Sequence, residues 1–130
     1  MAGLLLDTHA TIWYLEASLR LSSTALNAIQ SCLNNGEPVY ISTVTVVELT
    51  YLVEKGRFPV TLLDQLLAEL RQPTPELIVA PLDLAMVDVI RRIAVRDMPD
   101  RMIAASAVAL GVSLVTRDQQ IQASGIAVIW

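Results

Sequence analysis

Four acidic side chains occupy positions from which they could share one divalent cation. Asp7 directly follows a short apolar run, and Glu48 lies in a helical segment after the second predicted strand. Asp100 begins a helix rich in small residues, and Asp118 follows the fourth predicted strand. Carboxylate oxygens are hard ligands, so a set of this kind favours Mg²⁺ or Mn²⁺ over zinc.

Each of these acids also has an ordinary structural interpretation. The stretch from Thr45 to Glu48 fits the capping box Ser/Thr-x-x-Glu. Asp97 could cap a helix with Asp100 in its first turn, where a carboxylate complements the helix dipole. Asp118 could cap a short turn over residues 119–123. Such roles are compatible with metal binding, because a capping carboxylate stays ionised and keeps oxygen lone pairs available.

The charge balance of the chain favours the shared site. An acid that directly follows an apolar strand, as Asp7 does, is costly near a core unless it is paired or binds a metal. The chain has a single lysine, Lys55, and only Arg101 and Arg117 adjoin the four acids in sequence. Internal ion pairing could therefore neutralise about two of the four, and a hard cation would relieve the remaining repulsion.

Nitrogen and sulfur ligands are scarce. The lone cysteine, Cys32, and the lone histidine, His9, give no zinc-binding cluster. Because it lies beside Asp7, His9 could act as a general base. Two residues beyond a strand end it is more typical of a structural or substrate-contacting side chain, so its role stays open.

Short strands alternate with helical segments, which predicts an α/β fold with a mainly parallel sheet. The strands are predicted at residues 4–6, 39–41, 77–79, 112–115 and 126–129. The helices are predicted at 8–17, 22–34, 43–55, 62–70, 82–94 and 100–110. In the fifth of these helices we expect Leu84, Val87, Ile90 and Ile93 to face inward. Ligands of such sheets bind at the carboxyl ends of the strands, where the acids are placed.

Length and composition bound the possibilities further. The 130 residues predict one domain, residues 1–130, and a hydrophobic fraction of 54% is high for a soluble monomer. A homodimer or a bound partner is therefore expected. No apolar stretch reaches the ~18 residues that a membrane span needs. With one cysteine and no signal-peptide pattern, we expect a cytoplasmic protein without a membrane partner. The net charge of −4 argues against nucleic-acid binding by bulk electrostatics.

Four short stretches, spread over nearly the whole chain, carry a family resemblance. They are Leu5-Leu6-Asp7-Thr8-His9 with Trp13, Ile41-Ser42-x-x-Thr45-x-x-Glu48-Leu49, Asp97-Met98-Pro99-Asp100-Arg101-Met102-Ile103-Ala104-Ala105, and Leu114-Val115-Thr116-Arg117-Asp118. In this order and spacing they resemble the PIN-domain ribonucleases, and within that family the VapC-type toxins of type II toxin-antitoxin modules. Each stretch alone is a weak pattern, but the four together are specific.

The resemblance implies a fold, a site and a reaction. The fold would be a PIN-like α/β/α sandwich with a five-stranded sheet. Asp7, Glu48, Asp100 and Asp118 match the family's acidic quartet, which holds one or two Mg²⁺ or Mn²⁺ ions. Thr116 matches a hydroxyl that helps to position that cluster or its water. Asp97 matches a less constant acid and is left outside the core site.

The reaction implied is endonucleolytic hydrolysis of RNA. The metal would activate water and relieve charge on the phosphate, and the protein would be a toxin held inactive by a cognate antitoxin. Arg101 and Arg117 would hold flanking phosphates, although a structural role for Arg101 is also open. A homodimer is usual in this class.

Three other classes of protein share some of these features. A receiver-type phosphoacceptor domain needs paired acids at its first strand and a lysine after its last, but only Asp7 follows the first strand here and the last ends at Trp130. A haloacid-dehalogenase-like phosphatase needs Asp-x-Asp, whereas this chain has Asp7-Thr8-His9. A non-catalytic module with the same fold stays open, and the intact acids count against it.

Overall fold

Five parallel strands form the centre of the molecule. In the computed structural model, which describes residues 3–130, they are β1 (Leu4–Leu6), β2 (Val39–Ser42), β3 (Leu77–Ala80), β4 (Ser113–Val115) and β5 (Val128–Ile129). Their order across the sheet is β3-β2-β1-β4-β5, and every neighbouring pair is parallel. The apolar run that predicted the first strand is the central strand, and all three of its side chains are buried.

The connections between strands are helical. The helices of the described residues are α1 (Thr8–Leu15), α2 (Ser23–Asn34), α3 (Thr43–Glu54), α4 (Val60–Leu70), α5 (Met86–Ile90), α6 (Met98–Leu110) and α7 (Gln119–Ala123). None of the helices in this range is long and apolar enough to cross a membrane. The predicted domain, residues 1–130, begins with Met1 and Ala2, which lie outside the described residues.

Two hydrophobic clusters cover the two faces of the sheet, which confirms the predicted α/β/α sandwich. Because side chains alternate along a strand, Leu4 and Leu6 pack in one cluster with Ile12 of α1. Leu5 packs in the other cluster with Ile103 of α6. The central strand therefore packs against both helical layers. Its end determines the position of Asp7, the residue that follows it.

Sequence signals mark both ends of α6, the helix that begins with an acidic turn. The side chain of Asp97 caps its first turn, and Pro99 lies within that turn. Gly111 ends the helix in the left-handed conformation, with φ of 68°, where a side chain would be strained. Between these ends the helix presents small buried residues such as Ala104 and Ala107 to the sheet.

The predicted helix over 82–94 is wrong in extent. Helix α5 spans only Met86–Ile90, whereas the other predicted helices and strands match within two residues at each end. A turn precedes α5, in which both the backbone and the side chain of Asp83 accept from the N–H of Met86. Asp83 thus starts the helix locally, which the apolar spacing did not reveal.

The predicted inward face of this segment is also partly wrong. Leu84 is 86% exposed and Val87 is 45% exposed, while Met86 is buried. Ile90 and Ile93 are half-buried. A helix of five residues cannot keep one stripe over thirteen positions, so the apolar spacing of the sequence does not correspond to one buried face.

Candidate active site

The carboxyl ends of β1, β2 and β4 open into one pocket of about 370 Å³. Its lining residues are Asp7, His9, Trp13, Glu48, Asp97, Asp100, Arg117 and Asp118. All four acids of the predicted site therefore line the same pocket. A fifth acid, Asp97, lines it as well, although the sequence placed it outside the core site.

Asp7 is positioned by the helix that it starts. It is the N-cap of α1, and its Oδ1 accepts a hydrogen bond from the N–H of Ala10 at 2.8 Å. Its Oδ2 accepts from the hydroxyl of Thr116 at 2.5 Å. Burial raises the pKa of Asp7, and the bonds from Thr116 and Ala10 oppose that rise. The carboxyl is thus fixed by two donors at the end of the central strand.

Asp118 is fixed in the same manner after the neighbouring strand, β4. Its Oδ1 accepts from the N–H groups of Gln120 and Ile121, so it caps α7 as predicted. The N–H of Asp118 donates to the hydroxyl oxygen of Thr116 at 3.0 Å. Because the same hydroxyl donates to Asp7, Thr116 links two acids of the pocket.

Glu48 lies in the middle of α3, and the capping-box interpretation of this residue is wrong. Helix α3 begins at Thr43, and its cap is Ser42, whose hydroxyl accepts from the N–H of Val44 at 3.1 Å. The Oε1 of Glu48 accepts from the hydroxyl of Thr8 at 2.5 Å. Among the described residues, the side-chain hydrogen bond to this carboxylate comes from Thr8 of α1, and helix capping does not account for its position.

Asp100 feels the charge of every other acid that lines the pocket. The N–H of Asp100 donates to the Oδ2 of Asp97 at 3.1 Å, which confirms the predicted cap of α6. Burial, and after it the charges of Asp97, Asp118, Glu48 and Asp7 in that order of importance, together raise the pKa of Asp100 to about 7. The carboxyl thus feels every other acid of the pocket.

The donor set fits a hard cation in its chemistry. Within residues 3–130, no three acidic, histidine or cysteine side chains already form a group that could hold a metal ion. The acids share a pocket without sharing a coordination sphere. The charges of these acids raise the pKa of Asp100, and a divalent cation would relieve their repulsion.

The two arginines of the predicted site have different surroundings. The guanidinium of Arg117 lies 4.7 Å from the ring centre of Trp13, and both residues line the pocket. Arg101 is not among the lining residues. Its Nε donates to the carbonyl of Val95 at 2.6 Å, and a second nitrogen donates to the carbonyl of Arg96. Arg117 is therefore placed to meet a ligand, whereas these contacts give Arg101 a structural role.

His9 lies on the same wall of the pocket as Arg117. Its ring is 5.5 Å from the ring of Trp13, and the side chain is exposed. Trp13 in turn packs against Trp130, at 5.8 Å between ring centres. His9 and Arg117 thus both contact Trp13 beside the acids. This position leaves both predicted roles of His9 open, the general base and the structural or substrate-contacting side chain.

Fold and pocket together define an α/β domain with an acid-lined site at the carboxyl edge of its sheet. The family model of the PIN domain matches residues 4–125. The chain therefore belongs to the PIN domain family. A comparison with curated proteins gives no match.

Solved structures with this fold include one that is described as a toxin-antitoxin complex. VapBC2 from Rickettsia felis, bound to a promoter DNA fragment, is 16% identical with a TM-score of 0.74, and the match covers 97% of this chain and 96% of that one. FitAcB from Neisseria gonorrhoeae is 24% identical with a TM-score of 0.64 over 96% and 95%. A toxin-antitoxin complex from Klebsiella pneumoniae is 19% identical with a TM-score of 0.65 over 98% and 96%. At these identities the likeness shows the fold.

Thr8 is the site residue to which sequence reasoning assigned no role. It is 5% exposed, and its hydroxyl contacts Glu48, forty positions along the chain. A buried polar residue directly after a candidate ligand is a signal that could have prompted the search for a partner. The partner itself has no local signal, because only the parallel pairing of β1 with β2 brings α1 and α3 together.

Proposed function

We propose that this protein is a metal-dependent endoribonuclease, with Mg²⁺ or Mn²⁺ as its cofactor, and the toxin of a type II toxin-antitoxin module. The observation that carries the proposal is the meeting of Asp7, Glu48, Asp100 and Asp118 in one pocket. Membership of the PIN family supports nuclease chemistry at that pocket. A cation that bridges the acids to a phosphate also explains how a chain of net charge −4 can act on a polyanion.

The four acids would hold the cation, and the protein supplies their arrangement. When bound, the metal lowers the pKa of a water molecule and neutralises charge on the scissile phosphate. Thr116 holds Asp7 and Asp118 in fixed relation through one hydroxyl. Arg117, which stacks on Trp13, would bind a neighbouring phosphate of the RNA. Asp7 or another carboxylate of the set would accept the proton of the attacking water.

Cleavage of a total-RNA pool tests this proposal. The purified protein is incubated with Mg²⁺ or Mn²⁺, and parallel reactions contain EDTA or the variant Asp7→Asn. We expect discrete fragments with the metal and none in either control. Mapping the fragment ends identifies the target RNA. If the folded protein cleaves nothing with either metal, the non-catalytic binding module is the better description.

An antitoxin partner is part of the proposal. An apolar groove of about 570 Å³ adjoins the pocket, and Trp13 lines both. Leu19, fully exposed at its edge, and Leu26 are among the other lining residues. A peptide with apolar side chains in the groove and a basic residue among the acids would occupy both sites together. Such a module acts on cytoplasmic RNA, in line with the expected location.

A further inference from the structure

Two buried threonines from different helices are linked to Glu48, Thr8 by a direct contact and Thr45 through Thr8. Thr8 is the first residue of α1, and its Oγ1 lies 2.5 Å from Oε1 of Glu48 and 3.3 Å from Oγ1 of Thr45. Thr8 is 5% exposed and Thr45 is fully buried. The described hydrogen bonds give Glu48 no side-chain donor other than Thr8.

The direction of these bonds follows from the number of protons. A threonine hydroxyl has one proton, and an ionised carboxylate can only accept. Thr8 therefore donates to Glu48, and the contact between the two hydroxyls is a bond donated by Thr45. The distance from Thr8 to Glu48 lies in the range of a bond from a hydroxyl to a charged oxygen. The result is an ordered chain from Thr45 through Thr8 to the carboxylate.

The same construction holds Asp7 on the other side of the β1 to α1 junction. There the N–H of Asp118 donates to Thr116, and Thr116 donates to Asp7. Asp7 and Thr8 are consecutive residues. The same turn of backbone therefore carries one acid of the pocket, Asp7, and the hydroxyl that donates to another, Glu48. Two threonine hydroxyls thus tie the segments after β1, β2 and β4 together.

We propose that Thr8 is a positioning residue that orders Glu48 for cation binding, and that Thr45 supports it through the second hydroxyl. The inference rests on the proposed function of the pocket. Glutamate loses more side-chain freedom than aspartate when it is fixed. A carboxylate that is already hydrogen-bonded at one oxygen loses less conformational entropy when a cation binds. Residues that hydrogen-bond to metal ligands in other proteins have this effect on metal affinity.

Calorimetric titration with Mn²⁺ and RNA-cleavage kinetics test the role of Thr8. Thr8→Val removes the hydroxyl, whereas Thr8→Ser keeps it. We expect Thr8→Val to weaken Mn²⁺ affinity by about 10-fold to 100-fold and to lower kcat with KM for RNA unchanged. Thr8→Ser should restore both, and Thr45→Val should cause a smaller loss of affinity. Thr50→Val is the matched control, because its hydroxyl on α3 donates only to the carbonyl of Val46.

The outcomes separate this inference from the proposed function. Wild-type Mn²⁺ affinity in folded Thr8→Val overturns the role of Thr8, even if the wild-type protein cleaves RNA. Loss of affinity in Thr8→Val, in a protein that cleaves no RNA, supports the role of Thr8 and contradicts the proposed function. If Thr8→Val does not fold, Thr45→Val decides, and an affinity equal to that of Thr50→Val overturns the chain of hydroxyls.

Discussion

The carboxyl group of Asp100 lies among four other acids, and burial with these charges raises its pKa from an ordinary 3.8 to about 7. The folded protein therefore binds this proton more tightly than the unfolded chain does. Its contribution to stability is fully present below the unfolded pKa and is lost as the pH rises through the folded pKa. In metal-free protein we expect the Tm to fall from about pH 4 to about pH 7 and to level off above that.

The variant Asp100→Asn tests this expectation. It removes the charge with little change of shape, so it should raise the Tm by a few degrees near pH 8 and flatten the pH dependence. Thermal melts in EDTA across that range measure both effects. Asp64→Asn, an exposed acid of α4, controls for the change in net charge. Equal melting curves for Asp100→Asn and Asp64→Asn at every pH would argue that Asp100 does not repel its neighbours.

At the scale of elements, the first turn of α6 combines a helix cap with a pocket acid. The side chain of Asp97 accepts a hydrogen bond from the N–H of Asp100. Among the charges that raise the pKa of Asp100, that of Asp97 has the largest effect. Asp97→Asn keeps a capping oxygen and removes the charge, whereas Asp97→Ala removes both. We expect Asp97→Ala to be less stable than Asp97→Asn by about 1 kcal/mol, measured by urea unfolding. Equal stabilities would mean that the cap contributes nothing.

The elements also show what the sequence can and cannot reveal. The continuous apolar run Leu4–Leu6 predicted a strand buried on both faces of the sheet. Gly111 predicted the end of α6 because glycine readily adopts the left-handed conformation that ends a helix. These signals are local. The helix around Met86–Ile90 was predicted too long. The spacing of apolar residues does not reveal which of them pack against the rest of the protein.

The same distinction applies to the pocket. The positions of Asp7 and Asp118 follow from the strands that precede them, so parallel pairing alone brings them to one edge. The bond from Thr8 to Glu48 depends on how α1 packs relative to α3, and no spacing along the chain encodes it. The sequence could therefore predict the acids, and its family resemblance pointed to the hydroxyl of Thr116, while the hydroxyl of Thr8 required coordinates.

At the scale of the whole molecule, an acidic protein and an RNA repel each other unless something intervenes. The net charge of −4 removes the counterion-release contribution that dominates binding by basic proteins. Under the proposed function, the remaining attraction would be concentrated at the pocket, where a cation and Arg117 would meet the phosphates. We therefore expect the affinity for RNA to be modest and to depend on the metal. An antitoxin that also made apolar contacts in the groove would bind more tightly than RNA and would compete with it for the pocket.

The exposed apolar side chains of the molecule bear on its assembly. Leu19, Leu84 and Val47 are 102%, 86% and 62% exposed, and they lie before α2, before α5 and within α3. Together with the hydrophobic fraction of 54%, they favour a protein that buries surface against a second copy. We expect the purified protein to be a dimer or poorly soluble when its antitoxin is absent. Light scattering over a concentration series measures this, and a monodisperse monomer at high concentration would contradict it. In that case the apolar surface would be left for the antitoxin alone, and adding the antitoxin should then be the only step that increases the mass of the complex.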